Sequence, residues 1–489
     1  MMKKIFLAGE WVLGQGKPTV SYFPADGTKN DEFSTASLEQ VDEAVHKAHQ
    51  AWQQPEWRFS LPSQRARVLW RVADLIEARV EELAALQTRD NGKPLSETRG
   101  LVMSAAQTAR YMASVLDTLD EELTNQRASD TLTLSIYEPL GVVAAITPWN
   151  SPIASEMQKI APALAGGNAI VLKPAELTSL VALRLAKLFE EAGLPKGLLS
   201  VLPGKGSVVG NALVQHNLVR KISFTGGTTT GKQLAHVAAE RLISTSLELG
   251  GKSPTVVLED ADLELAVNGV IYGIFSSAGQ ACIAGSRLFV HQSRYDEFVA
   301  RLVEKTNRLR VGHPEDPATQ VGPLIDENHL RSVDAYVQQA KAEGGQVVTG
   351  GHRVTGNGLD QGSYYAPTVI TGLSNSATVC QEEIFGPVLV VMPFESEQEL
   401  VSVANQSVYG LAAGIWTENY RKAWQLARLL DVGTVWINTY KKFSISTPFG
   451  GFKESGVGRE KGRLSVLSYM QQKSIYIGLD STPNSWCEV

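Results

Sequence analysis

Apolar residues recur at helical spacing through the first part of the chain. In ASLEQVDEAVHKAHQAW, beginning at Ala36, Val41, Ala44 and Ala48 share a face, and Ser37 and Gln40 have capping-box spacing, so a helix is predicted to start there. From Ser63 to Thr88 the pattern continues: Val68, Leu69, Val72, Leu75, Ile76, Val80 and Leu83 form one apolar face suited to packing. From Gly141 the texture changes. GVVAAITPW, AIVLKP, LLSVLPG and VRKISFTGG are short apolar runs separated by helical stretches such as SLVALRLAKLFEEAGL, which Gly193 closes. A second alternating region runs from PTVVLEDADLELAV, near Ser253, to VWINT at 435–439. Such alternation predicts an α/β protein with parallel sheets covered by helices on both faces, divided near residue 251, whose ligands lie outside the carboxyl ends of the strands. Residues 125–138 and the tail from about 471 (QKSIYIGL) read as β segments outside both layers. Each needs a partner strand, expected across a subunit interface.

Length and composition narrow the class. A chain of 489 residues exceeds the usual single core, and 43% hydrophobic with 20% charged residues is the balance of a folded soluble protein. The net charge of −6, without clustered Lys and Arg, argues against nucleic acid and against acidic lipid surfaces. Three distant cysteines, Cys282, Cys380 and Cys487, outline neither a disulfide framework nor a metal site, so a reducing compartment is expected. Glu10 interrupts the apolar start before a signal-peptide core forms, and no stretch is pure enough to span a bilayer; a cytoplasmic location is expected.

Taken singly, the motifs are ordinary. FTGGTTTGK, Phe224 to Lys232, nearly matches a nucleoside-triphosphate loop but carries Gln233 where a hydroxyl residue would hold Mg²⁺. What survives is a glycine-rich strand-to-helix turn able to face a diphosphate. PGKGSVVG, with Gly206 and Gly210, lacks dinucleotide-loop spacing. ELGGK at 248–252 reads as a surface turn or as a carboxylate beside two glycines that admit a ligand, and Asn150 in ITPWN reads as a helix cap or a donor. Cys282, in GQACIAG, is either a structural thiol or a nucleophile.

Their conjunction is not ordinary. ITPWN, KPAE at 173–176, FTGGTTTG, ELGGK, GQAC, EEIFGPV at 382–388 and PFGGFKESGVGRE at 448–460 stand in the order and spacing of the aldehyde dehydrogenase superfamily, which the chain resembles over nearly its whole length. The resemblance implies two Rossmann-like open parallel-sheet domains, a dinucleotide-binding one (1–123 and 140–251) and a catalytic one (252–455), with a small β oligomerisation arm (124–139 and 470–489). It implies that Cys282 attacks the aldehyde, that Asn150 and the Cys282 amide hold the oxyanion, that Glu248 activates the hydrolytic water and that Glu460 helps relay the proton. NAD is the implied cofactor, with NADP possible, because Glu176 beside Lys173 would repel a ribose phosphate. Ile146, Thr147, Pro148, Trp149, Gly206, Gly210, Phe224, Gly226, Gly227, Thr230, Leu249, Glu383 and Phe385 are the other implied cofactor contacts.

Substrate positions follow from the same resemblance: Ser151, Ser155 and Gln158 on one wall of a tunnel, Phe443 and Phe449 on the other. They imply a roomy, partly polar tunnel for a medium-sized or aromatic aldehyde. Lys441 and Lys442 read as solvated lysines or as an attractor for a distal carboxylate, and Ser277 stands where the family often has Asn. No metal is expected, and the partners expected are a small aldehyde and further copies of the chain in a homodimer or homotetramer. Competing readings are a CoA-acylating semialdehyde dehydrogenase, opposed by Glu248, a non-catalytic homologue, and a papain-like hydrolase, for which none of the eight histidines offers a partner motif.

Overall fold

Ser37 caps the helix Leu38–Gln53 as its spacing predicts: its hydroxyl accepts from the Gln40 amide, and the Gln40 side chain accepts from the Ser37 amide. The computed structural model describes residues 2–120, 122–124, 128–481 and 486; Cys487 and the last part of the expected arm lie outside the described residues. The apolar face from Ser63 to Thr88 belongs to two helices, Pro62–Glu77 and Val80–Asn91, because Arg79 leaves the helical region (φ −125°, ψ 28°). Neither Gly nor Pro marks that break. Arg79 instead turns to Glu191, 2.8 Å away on a distant helix, while Leu69, Val72, Ile76 and Leu83 remain fully buried on the shared face.

The first sheet has eight strands. Its parallel centre runs, in spatial order, Leu199–Val201, Ala169–Lys173, Val142–Ile146, Val219–Thr225 and Ser244–Glu248. Antiparallel strands, Ile5–Leu7 and Gly456–Val457, flank this centre. Helix Ser179–Glu191 ends as Gly193 predicts: at φ 82° its amide reaches back to Glu190 and the Leu194 amide to Phe189, the paired bonds of a Schellman turn. From Val142–Ile146 the chain winds to one side and then returns to the other. The switch in direction leaves a crevice beyond Ile146 and Thr225, where ITPWN and FTGG begin.

The second sheet has seven strands, in the order Gln346–Thr349, Thr368–Thr371, Val388–Phe394, Arg287–His291, Pro254–Val257, Ala412–Trp416 and Thr434–Ile437. All neighbours are parallel except the first pair. Each large sheet has its own buried core, one formed by residues up to Leu249 together with Val466 and Tyr469, the other by residues from Val256 to Leu430. A small third cluster, Ile283, Leu411, Ala412, Trp436 and Tyr440, carries Cys282 and Phe449 at its edge. The β segments expected to pair across a subunit interface find their partners in each other: Thr131–Pro139 lies antiparallel to Met470–Gly478 along its whole length. Among the described residues no helix is long and apolar enough to cross a membrane.

Candidate active site

Two buried hydroxyls at the crevice, those of Thr147 and Thr225, have no hydrogen-bond partner among the described residues. Beside them helix Thr228–Arg241 starts at Gly227 with no side chain capping it, so its first amides face outward as donors. A Cβ at Gly227 or Gly206 would meet nothing, whereas one at Gly226 would lie 2.5 Å from the Phe224 ring, so Phe224 packs beneath the turn. Lys173, Ile146 and Gly210 come together: a Cβ at Gly210 would lie 3.5 Å from the Lys173 chain and 3.8 Å from Ile146. The Lys173 ammonium donates to the Gly204 carbonyl at 3.0 Å, and burial pulls it down to about 8, opposed by half-buried Glu176. Thr230 is exposed on the first turn of the same helix. Open space, orphaned hydroxyls and free amides fit a polar ligand of dinucleotide kind.

The cysteine loop is fixed by its neighbours. Ser277, Ala278 and Gly279 take left-handed backbone angles in succession (φ 59°, 52° and 70°). At Gly279 a Cβ would fall 2.0 Å from the Gly386 carbonyl, which accounts for a glycine there. Buried Gln280 braces the loop by accepting from the Ile325 amide at 2.9 Å, and its carbonyl accepts from the Asn150 side chain at 3.0 Å. Asn150 therefore does not cap a helix: helix Pro152–Ala165 has Ser151 at that position. Cys282 is half-buried. Burial pushes its thiol up to about 12, and Glu383 and Glu248 add to the shift, while the backbone amides of Ile283 and Cys282 face the sulfur and oppose it.

ELGGK is not a surface turn. Glu248 ends a strand whose last three residues are buried, is 4% exposed, and neither carboxylate oxygen has a hydrogen-bond partner among the described residues. Burial first, and Glu460 second, hold Glu248 well above the usual carboxylate range. Its two glycines pack against protein: a Cβ at Gly250 would lie 2.2 Å from Glu383, and one at Gly251 2.4 Å from the Cys282 carbonyl oxygen. The Gly251 amide donates to Glu383 at 3.0 Å, and burial raises Glu383 to about 7. The Gly226 amide donates to the Glu248 carbonyl, tying the crevice to this strand, and the Leu249 amide donates to Ser455. Phe385, at φ 57°, packs edge-on against Trp149, its ring centre 5.2 Å away. Glu460 is ion-paired with fully buried Lys159 at 2.6 Å, and Lys159 also donates to Ser223, which accepts from Tyr469.

Ser151, Ser155 and Gln158 are half-exposed on one face of helix Pro152–Ala165, whereas Lys159 and Glu156 are buried on it. Phe443 and Phe449 meet edge-to-face at 5.6 Å. One reading is corrected: Lys441 is not a solvated lysine but is half-buried, donating to the Ser276 hydroxyl at 2.7 Å, whereas Lys442 is exposed. The replacement at Ser277 has a packing role, because its amide and hydroxyl both donate to Glu97.

The profile described as the aldehyde dehydrogenase family matches residues 11–475. The chain belongs to the aldehyde dehydrogenase family. It is 41% identical over 480 residues to DhaS of Bacillus subtilis (strain 168), a protein named as an aldehyde dehydrogenase, covering 98% of this chain and 96% of that one. It is similar to a Bacillus cereus aldehyde dehydrogenase solved as an NAD⁺ complex (41% identity, TM-score 0.95, covering 98% and 97% of the two chains). A Staphylococcus aureus betaine aldehyde dehydrogenase in complex with NAD⁺ is also similar (36% identity, TM-score 0.97, covering 99% and 97%). In this aldehyde dehydrogenase Lys159 lies in none of the motifs, yet it is packed against Glu460 beside Glu248. Only that contact reveals it, since a lysine inside a helix carries no local signal.

Proposed function

We propose that this aldehyde dehydrogenase oxidises an aldehyde to its carboxylic acid with NAD, through a thioester on Cys282 that water hydrolyses. What chiefly supports the reading is one arrangement: a half-buried thiol faced by backbone amides, an asparagine amide fixed to its loop, and an unpartnered buried carboxylate within electrostatic reach. The residues that would hold NAD are Lys173 and Glu176 at the adenosine ribose, Gly226, Gly227, Thr230 and the open helix end at the diphosphate, and Trp149, Glu383 and Phe385 at the nicotinamide end. When bound, NAD supplies the hydride acceptor.

An aldehyde carbon has no good hydride to give until it is made tetrahedral. Cys282, as thiolate, adds to that carbon, and the oxyanion is held by the Asn150 hydrogen not spent on Gln280 and by the Cys282 amide. Because burial raises the thiol, its proton needs an acceptor, and Glu248, itself raised, is matched to that task. Loss of hydride leaves a thioester, and Glu248, once it has passed the thiol proton on to Glu460, takes a proton from the attacking water. Glu460 and Lys159 form the buried pair through which that proton leaves the site. An unpartnered base favours water over CoA as acyl acceptor. The same reading assigns 1–123 and 140–251 to cofactor binding, 252–455 to catalysis and the paired outer strands to assembly. Aldehyde-dependent NADH absorbance, measured with and without CoA, tests it: NADH and free acid are expected without CoA, and a strict CoA requirement would overturn it.

A further inference from the structure

Three ammonium groups lie within electrostatic reach of the reacting sulfur, and their carboxylate neighbours are shared or otherwise engaged. Lys441 donates to the Ser276 hydroxyl at 2.7 Å and lies 5.9 Å from the centre of the Tyr272 ring. Lys93, 5% exposed, stands 3.9 Å from Glu97. Both lysines have Glu97 as their carboxylate neighbour, yet Glu97 is already turned to the cysteine loop, accepting from the Ser277 amide and hydroxyl. On another side, Lys461 places its ammonium 3.8 Å from the centre of the Phe443 ring and 5.3 Å from that of Phe449. Its carboxylate neighbours are Glu460, paired with Lys159, and Glu248, held toward its neutral form by burial. All three ammoniums lie within electrostatic reach of Cys282.

The backbone is strained where these lysines stand. Lys461 has φ 57° and ψ 174°, a region essentially reserved for glycine, and Lys441 has φ 56°. Such angles persist only where the surroundings impose them, and here Lys461 faces the Phe443 and Phe449 rings while Lys441 lies between Ser276 and Tyr272. Burial pulls both Lys441 and Lys461 down to about 8, so each is poised to gain from an arriving anion.

We propose that the aldehyde taken by this site carries a carboxylate at its far end, bound by Lys441, with the Phe443 and Phe449 rings packing on the carbon skeleton between and Lys461 adding to the attraction. The proposal rests on Cys282 being the nucleophile. Since a hydrogen bond to a charged group is worth at least a factor of ten, kcat/KM should favour para-carboxybenzaldehyde over neutral para-formylbenzamide by about tenfold or more. Lys441→Met should erase that ratio, mainly through KM for the carboxylate, and Lys441→Arg should keep it. Equal rates or a preference for the amide in the unaltered enzyme, or an equal loss on both substrates in Lys441→Met, would overturn it. The comparison in the unaltered enzyme decides even if the variant misfolds. If neither aldehyde, nor a simple aliphatic one, yields NADH, the reading of Cys282 falls as well; oxidation of the aliphatic aldehyde alone overturns only the carboxylate.

Discussion

Gly251→Ala perturbs the nucleophile without touching a reacting group. A Cβ there would lie 2.4 Å from the Cys282 carbonyl oxygen and 3.2 Å from Leu411, where ordinary contact begins near 3.4 Å. The shortfall of about 1 Å cannot be absorbed by retreat, because Leu411 stands on another side and the Gly251 amide is tied to Glu383 at 3.0 Å. The cysteine loop must therefore move by roughly that distance, and misplacing a reacting atom by ~1 Å costs on the order of 10²-fold, or about 2.7 kcal/mol of barrier. The assay is kcat/KM from NADH absorbance, with NAD affinity by calorimetry and thermal unfolding as controls for general damage. A fall of about a hundredfold is expected, with NAD binding largely retained. A folded variant within about threefold of the unaltered enzyme would show that the contact does not position the sulfur.

Other expectations follow from the same site. Asn150→Ala should lower kcat by about 10²–10³, measured with saturating aldehyde, since it removes one oxyanion donor. Lys159→Met leaves Glu460 buried without its partner and should cost about 3–5 kcal/mol in urea unfolding. Because Glu248 is raised above its unfolded value, its contribution to stability is present at low pH and is lost as pH rises through the folded pKa. Glu248→Gln should therefore gain in Tm relative to the unaltered enzyme as pH rises above the ordinary carboxylate range, with little difference below it. In the unaltered enzyme, kcat should rise with pH over that same range as the base ionises.

Much of this was legible in the chain, for physical reasons. Strands buried on both faces, such as Val142–Ile146 and Ala169–Lys173, read as unbroken apolar runs, with Gly141 and Gly167 before them and Pro148 and Pro174 after. Ser244–Glu248 was not legible: STSLE has no apolar run, and its place in the sheet comes from its neighbours on either side. The ordered motifs pointed to Cys282, Glu248 and Asn150, which the fold brings together from separate strands and loops. The break at Arg79 and the burial of Lys441 depend on Glu191 and Ser276, far away in sequence, so no local pattern could carry them. The glycines of ELGGK were read as admitting a ligand, yet they admit Glu383 and the cysteine loop.

The central claim concerns a covalent bond to one sulfur, and intact-protein and peptide mass spectrometry of Glu248→Gln, quenched soon after mixing with NAD and aldehyde, tests it most directly. The account predicts one acyl group per chain on the peptide containing Cys282, formed together with a burst of NADH. A burst that leaves Cys282 unmodified, or an adduct on Cys380 instead, would contradict it.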